Sequence, residues 1–352
     1  MNLQRFFARS PSVILQWPDS MGFSAYRSRG MQDLEFSVDG TFLALQYGAR
    51  GDTGIRPIDG VIAVWNTAQW SLLQHRFHGD GIGSCRMALL PDSRRIAVIK
   101  SHCVTIGDLI SGSAVSFKGA DIGLAEDQEF NTEGGCNSLC DWHKPLFTDD
   151  GKTMIIDVHI RGGSGYAALV DTTTAKMTRL AEGTKAIGLL RDRDYFFGCV
   201  RDAPGVPTFA VYSARTGDVL SRGLSLSDIN ARTPEGVTYS YTGRSLIVGG
   251  PTFGEMLGQV CWAAQRRRFL LFDRADSSRP YDTLPFVTLR DSKSGSHLCD
   301  LKLPTSPLLG PVRVVASSDL RSIAGGFHRS GSGGFHKRGE KECAVAVWQL
   351  SR

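Results

Sequence analysis

The feature that most constrains the fold is a unit of four short apolar runs, first seen between Leu34 and Leu73. The first two runs are joined by Ser37-Val38-Asp39-Gly40, a hairpin signal because glycine tolerates the positive φ of tight turns. The second two runs, which begin at Val61, are joined through Asn66 and Thr67. Four short runs with two such turns predict one antiparallel four-stranded sheet.

The unit repeats along the chain. Its third run recurs 42 residues apart, from Trp65 to Gly107 and again from Val170 to Tyr212, and this period is typical of propeller blades. Trp348 closes the last repeat as Trp65 closes the first. On these residues the chain resembles the WD-repeat family over nearly its full length, on the loose consensus. The resemblance implies an all-β fold, a β-propeller of four-stranded antiparallel blades.

The two ends of the chain are predicted to complete one blade together. Ser12–Trp17 is an apolar run without a hairpin partner nearby, and Ala344–Leu350 is a third strand without a fourth. Pairing them closes the ring and removes open sheet edges. We therefore expect one propeller domain at 12–352 and a flexible tail at 1–11, whose two arginines and lack of acids faintly resemble a targeting segment.

The number of blades depends on one stretch. Met256–Arg267 is either part of a degenerate extra blade or a helix inserted between blades, since its residues favour a helix. The spacing from Trp262 to Trp348 is 86 residues, about two blade periods, and it favours seven blades over six. The clear blades are expected at 32–78, 84–118, 139–180, 186–221 and 312–350, with hairpins at 237–249 and 286–301.

Composition limits the class of protein. The net charge of +5 on 352 residues is far from a nucleic-acid signature. No apolar run reaches the ~18 residues that a membrane helix needs. Eight cysteines in so long a chain do not form a disulfide framework. An intracellular location is expected, cytoplasmic before nuclear or organellar.

Long insertions carry the functional hypothesis. Those at 47–60, 118–137, 251–284 and 325–342 all fall where strand-two-to-three or blade-to-blade loops emerge, so they are expected on one face. Long loops on a rigid scaffold commonly carry function. We expect them to bind other proteins, through basic residues that also make nucleic acid or phosphate a possible ligand: Arg266, Arg267, Arg268, Arg329, His336, Lys337 and Arg338.

Motifs for other chemistry are incomplete. Gly151-Lys152-Thr153 lacks the upstream glycine and the following helix of a phosphate-binding loop. Cys136, Cys140 and His143 would need His159 as a fourth zinc ligand, so no metal or other cofactor is expected. His102, Asp157 and His159 lie near strand ends and are the candidates for catalysis.

The sequence thus predicts a non-enzymatic interaction scaffold, a subunit of a larger assembly, without catalytic residues. The alternatives are a propeller enzyme of the hydrolase or lyase type, with a site over the central channel, and a propeller that binds nucleic acid or phosphate.

Overall fold

A computed structural model describes the chain in segments. The described residues are 12–16, 27–50, 57–73, 77–78, 85–131, 145–189, 194–200, 208–224, 237–241, 244–248, 258–263, 268–273, 286–291, 297–302, 309–317, 321–328 and 343–349. The predicted tail at 1–11 lies outside them, and a single domain at 12–352 stays a prediction.

The described residues are almost entirely β-strand. Apart from a short 3-10 turn at Ala120–Ile122, they form twenty-eight strands. In chain order these are β1 (Val13–Gln16), β2 (Arg27–Phe36), β3 (Phe42–Arg50), β4 (Pro57–Asn66), β5 (Ser71–Leu72), β6 (Phe77–His78), β7 (Cys85–Leu89), β8 (Arg95–Lys100), β9 (Cys103–Asp108), β10 (Ala114–Lys118), β11 (Gln128–Phe130), β12 (Leu146–Phe147), β13 (Thr153–Ile160), β14 (Tyr166–Asp171), β15 (Met177–Glu182), β16 (Thr184–Leu189), β17 (Tyr195–Val200), β18 (Thr208–Ser213), β19 (Val219–Leu224), β20 (Val237–Tyr241), β21 (Arg244–Val248), β22 (Gly258–Ala263), β23 (Arg268–Asp273), β24 (Phe286–Asp291), β25 (His297–Lys302), β26 (Leu309–Ala316), β27 (Ser322–His328) and β28 (Cys343–Gln349).

Within the described segments these strands make seven antiparallel sheets. The orders are β1-β28-β27-β26, β2-β3-β4-β5 with β6 on β4, β7-β8-β9-β10, β11-β13-β14-β15 with β12 on β13, β16-β17-β18-β19, the hairpin β20-β21, and β22-β23-β24-β25. Except for the first, each sheet is built from strands close together in sequence. This is the repeating four-strand unit that the sequence predicts.

The predicted pairing of the chain ends is confirmed. Strand β1 runs antiparallel to β28, with Val13 opposite Val347 and Gln16 opposite Ala344. Leu15 is buried in the core of this sheet, together with Val345 and Val347. The sheet therefore takes three strands from one end of the sequence and the fourth from the other.

The first turn of three sheets is fixed by the same hydroxyl contact. In each, a serine or threonine before the turn accepts a hydrogen bond from the backbone N–H five residues later: Phe42 to Ser37 at 2.9 Å, Thr153 to Thr148 at 3.1 Å and Ser322 to Ser317 at 3.0 Å. Gly40 and Gly151 adopt positive φ values of 75° and 64°, which explains glycine in the predicted turn.

The second turn is likewise fixed by a side-chain oxygen that ends the third strand. Asn66, Asp108, Asp171 and Ser213 each accept hydrogen bonds from backbone N–H groups two or three residues later. This is the Asx-turn, or its hydroxyl equivalent, which explains why polar residues interrupt the apolar runs there. The repeat thus exists at the level of individual hydrogen bonds.

The chain divides into two compact units. The first comprises Met1–Gly83, Met256–Asp291 and Ser296–Arg352, and the second comprises Ser84–Glu255 and Ser292–Gly295. In the second unit, a core lies between the β7–β10 sheet and the β11–β15 sheet and contains Ala88, Ile99 and Phe130. Another joins the β11–β15 sheet to the β16–β19 sheet and contains Phe196 and Tyr212, whose rings stack with centroids 5.1 Å apart.

The stretch at 256–267 contains a strand, as the extra-blade interpretation requires. The alternative of a helix is excluded, because Gly258–Ala263 is β22, paired with β23. Two other details differ from the prediction. Trp262 lies in the first strand of its sheet, where the sequence indicated a third strand. The unit predicted at 139–180 begins earlier, since Gln128–Phe130 already pairs with β13.

Two predicted loops are also shorter than expected. Much of 47–60 is strand, because Ala49 and Arg50 continue to pair across the hairpin with Ile58 and Pro57. In 325–342, the described residues continue β27, and His328 pairs with Cys343. A common face for all four insertions stays a prediction.

Candidate functional site

The candidate site lies at one edge of the second unit, where a hairpin turn meets the segment that leads to the next sheet. Ser101 and His102 form the turn between β8 and β9. The Gly119 N–H donates to the His102 carbonyl at 2.7 Å, and the Phe130 N–H donates to the Ser101 carbonyl at 2.8 Å. Backbone hydrogen bonds therefore hold the turn against both ends of the connecting segment.

Three side chains with acid–base chemistry meet at this edge. His102 Nε2 lies 3.8 Å from Glu129 Oε2, and the two side chains are 63% and 25% exposed. Glu129 is directly opposite His159 on the neighbouring strand, an arrangement that places both side chains on the same face of the sheet. Glu129 thus lies close to His102 and shares a face of the sheet with His159. We call His102, Glu129 and His159 the histidine–glutamate edge.

The surroundings of this edge are acidic and partly rigid. Asp121, Glu126 and Asp127 are exposed on the connecting segment, and Asp121 accepts a hydrogen bond from the Lys118 N–H at 2.9 Å.

Beneath this surface, Tyr166 anchors the connecting segment. Its hydroxyl donates to Gln128 Oε1 at 3.0 Å, and the Arg179 guanidinium lies 4.2 Å from the centre of its ring. Burial raises the pKa of Tyr166 above its usual value, so this hydroxyl remains a hydrogen-bond donor at neutral pH. The strand that carries Glu129 is thereby fixed from below.

Asp157, the third candidate for catalysis, has a structural contact. Its side chain is only 5% exposed, and Oδ1 accepts a hydrogen bond from the Ala186 N–H in the next sheet at 3.0 Å. The carboxylate therefore ties β13 to β16.

The predicted basic patch is largely outside the described residues. Arg266, Arg267, Arg329, His336, Lys337 and Arg338 all lie there, and Arg268 begins β23. Cys136, Cys140 and His143 also lie outside the described segments. Among the residues that are described, no group of three or more His, Cys, Asp or Glu is arranged to hold a metal.

Sequence reasoning missed Arg86, in β7. Its Nε is buried without a hydrogen-bond acceptor. The sequence does carry a signal for this residue, the alternation of side chains between the two faces of a strand. Arg86 is on the same face as Ala88 and Leu90, which are buried apolar residues. A charged residue in such a row is unusual.

Comparison with known proteins gives structural matches only. No family model and no curated protein matches the chain. A solved structure of Pyrococcus horikoshii acylaminoacyl peptidase is similar, with a TM-score of 0.50 and 10% identity, over 89% of this chain and 51% of that one. The fold is that of a β-propeller. The blade number and the WD-repeat relationship are finer statements than this likeness supports.

Two further structures are similar at lower scores. Kuenenia stuttgartiensis hydrazine synthase gives a TM-score of 0.49 and 10% identity, over 85% of this chain and 92% of that one. A prolyl endopeptidase gives 0.47 and 12%, over 94% of this chain and 52% of that one. The chain thus spans about half the length of the two peptidases that it matches.

The comparisons correct the predicted function. The similar structure with a TM-score of 0.50 is a peptidase, which agrees with the alternative interpretation, a hydrolase-type propeller, and not with a non-enzymatic scaffold. Protein binding through the insertions stays a prediction. In the described part of the chain, none of the helical structure is both long and apolar enough to span a membrane.

Proposed function

We propose that this chain is a β-propeller of the hydrolase type, with acid–base chemistry at the histidine–glutamate edge. The observation that carries the proposal is the arrangement of His102, Glu129 and His159, in which the Glu129 carboxylate lies 3.8 Å from the His102 imidazole and shares a face of the sheet with His159. The similar peptidase structure supports the reaction class.

The chemistry follows from the pKa range of histidine. An imidazole titrates near neutral pH, so it accepts a proton from water in one step and returns it in the next. Glu129 stabilises the imidazolium that forms on His102, whose Nε2 is 3.8 Å from the carboxylate. Such contacts commonly tighten when substrate binds. Two histidines at one edge give the site two groups that can exchange a proton with attacking water.

Turnover by the purified chain tests this proposal. A panel of peptide, ester and phosphoester substrates is assayed with wild type, Glu129→Gln, His102→Gln and His159→Gln. We expect the wild type to hydrolyse one of these substrate classes. In the histidine variant that lacks the general base, kcat/KM should be lowered about 10²- to 10⁴-fold. Glu182→Gln, an exposed acid on β15 of the same sheet, is the matched control and keeps full activity.

Two results would contradict the proposal. One is the absence of turnover across the panel by folded protein, which is the outcome expected if the chain has no catalytic activity of its own. The other is turnover that all three variants retain. A pH profile of kcat/KM adds a readout that loss of folding does not mimic, because removal of one histidine should abolish one limb of a bell-shaped curve.

We also propose that the seven sheets correspond to seven blades of a WD-like ring. The support is the shared turn chemistry, in which Ser37, Thr148 and Ser317 occupy equivalent positions in three sheets. The hairpin β20-β21 would be the incomplete blade. An intracellular, cytoplasmic location is proposed from the cysteine content, and fractionation of the native source tests it.

A further inference from the structure

Arg86 carries a charge that the described protein does not neutralise. Its Nε is buried without a hydrogen-bond acceptor, and no described carboxylate lies within 4.0 Å of its guanidinium. Ion pairs in the described part of the chain include those of Arg94, Arg95, His102 and Arg215. A buried donor without an acceptor is costly, and more so when it is charged.

Arg86 lies on the face of its sheet that packs against the β11–β15 sheet, and the residues around it on this face are apolar. Arg86 is directly opposite Ile99, and Ile99 is opposite Val104 on the next strand. Both apolar residues belong to the core between the β7–β10 and β11–β15 sheets. Side chains directly opposite each other share a face of the sheet, so the aliphatic stem of Arg86 extends that core toward its end.

This end of the core coincides with one end of the strands β7 and β8. Cys85, the residue before Arg86, pairs with Lys100, the last residue of β8, and the Ser101–His102 turn follows. Arg86 is therefore one residue from the end of β7, at the same end of the sheet as His102 of the histidine–glutamate edge. The residue as a whole is only partly buried, whereas Nε itself is buried. A ligand at this end of the sheet can therefore reach the exposed part of the side chain, and it reaches Nε when the side chain turns outward.

We propose that Arg86 binds an oxyanion, a carboxylate or phosphate group of a ligand that occupies this edge. A guanidinium presents Nε–H and one Nη–H side by side, which matches two oxygens of either group. Binding would supply the acceptor that the buried Nε lacks. The inference goes beyond hydrolysis and does not require it, because anion binding is measured without turnover.

The simplest competing explanation is a structural role for the side chain. Glu129, the carboxylate of the histidine–glutamate edge, lies close to His102, and the strand that carries it pairs with β13. Arg86→Met separates the two explanations, because it keeps the length and apolar character of the stem but removes charge and donors. Replacing a partly buried arginine that has no ion-pair partner by an apolar side chain of similar length should cost little stability, whereas loss of an internal ion pair is destabilising.

The experiment measures anion-dependent stability and Arg Nε chemical shifts. Inorganic phosphate and acetate are titrated separately at constant ionic strength, with chloride as the balancing salt. We expect one of them to raise the Tm of wild type and to shift the Arg86 Nε resonance. In Arg86→Met, the anion-free Tm should be unchanged or higher, and affinity should fall about tenfold or more.

The controls make each outcome decisive. Arg222→Met removes an exposed arginine from β19 and should leave the titration unchanged. Arg86→Lys keeps the charge without the fork and should bind with intermediate affinity, which also covers the case in which Arg86→Met does not fold. Equal anion stabilisation of wild type and Arg86→Met overturns the proposal, as does a wild-type Nε resonance that neither anion moves. Preference between phosphate and acetate identifies the group.

Discussion

Asp171 offers the sharpest test of the turn chemistry that the sheets share. Its Oδ1 accepts three hydrogen bonds: from the Thr173 N–H at 2.8 Å, the Thr174 N–H at 2.8 Å and the Thr173 hydroxyl at 2.6 Å. These contacts, led by the Thr173 hydroxyl, lower the pKa of Asp171 from 3.8 to about 2. Asp171→Asn keeps an acceptor at this position but removes its charge.

The expected magnitude follows from the pKa. A fall from 3.8 to about 2 would correspond to at most ~2.4 kcal/mol of charge-dependent stability. The turn is largely in water, which screens the interaction, so we expect about 1 kcal/mol for Asp171→Asn at neutral pH. Asp171→Ala, which also leaves the turn N–H groups without their acceptor, should cost about 2 kcal/mol.

The stability that the Asp171 carboxylate contributes depends on pH, and the direction of that dependence follows from its lowered pKa. Because the folded pKa is the lower one, the carboxylate stabilises the fold above pH ~4, and this contribution is lost as pH falls through ~4 toward ~2. Urea unfolding of wild type and Asp171→Asn should thus differ by a constant amount from pH 5 to 7 and converge below pH 4. Glu126→Gln, at an exposed acid, is the control. A difference that stays constant down to pH 3 would refute the reasoning.

Two further predictions concern packing. Deletion of residues 1–16 removes β1 and buried Leu15 from the β26–β28 sheet, so we expect a fall in Tm. Amide hydrogen exchange should increase more in β28, which loses its partner strand, than in β8, which belongs to another sheet. Gly198→Ala places a Cβ 2.9 Å from Thr184 Cγ2 and 3.0 Å from the Lys185 carbonyl, which should cost about 1–3 kcal/mol. Unchanged urea midpoints in this variant would contradict the close packing.

Local turn chemistry was predictable from the sequence. Ser37-Val38-Asp39-Gly40 specifies its own hairpin, because the Ser37 hydroxyl and the positive φ of Gly40 act within a few residues. The strand β1 was predictable for the opposite reason: it had no local partner. Both inferences need only residue type and spacing.

Contacts between sheets were not predictable from the same signals. The strand Gln128–Phe130 is three residues long and has no clear alternation, and its place is decided by β13 and by Ser101. Likewise, Glu129 is placed opposite His159 only when β11 pairs with β13, and it approaches His102 only after two sheets pack. The sequence therefore indicated two of these three residues but not their juxtaposition. In Met256–Arg267, the pairing of β22 with β23 outweighs the helix propensity of the residues.

The pairing of Val13 with Val347 has a consequence for biosynthesis. During translation, each hairpin-connected sheet can form soon after its residues leave the ribosome, since its contacts are close in sequence. The β26–β28 sheet cannot add β1 as its fourth strand until Cys343–Gln349 has been synthesised. Until then β1 is an unpaired apolar strand, which chaperones would be expected to shield.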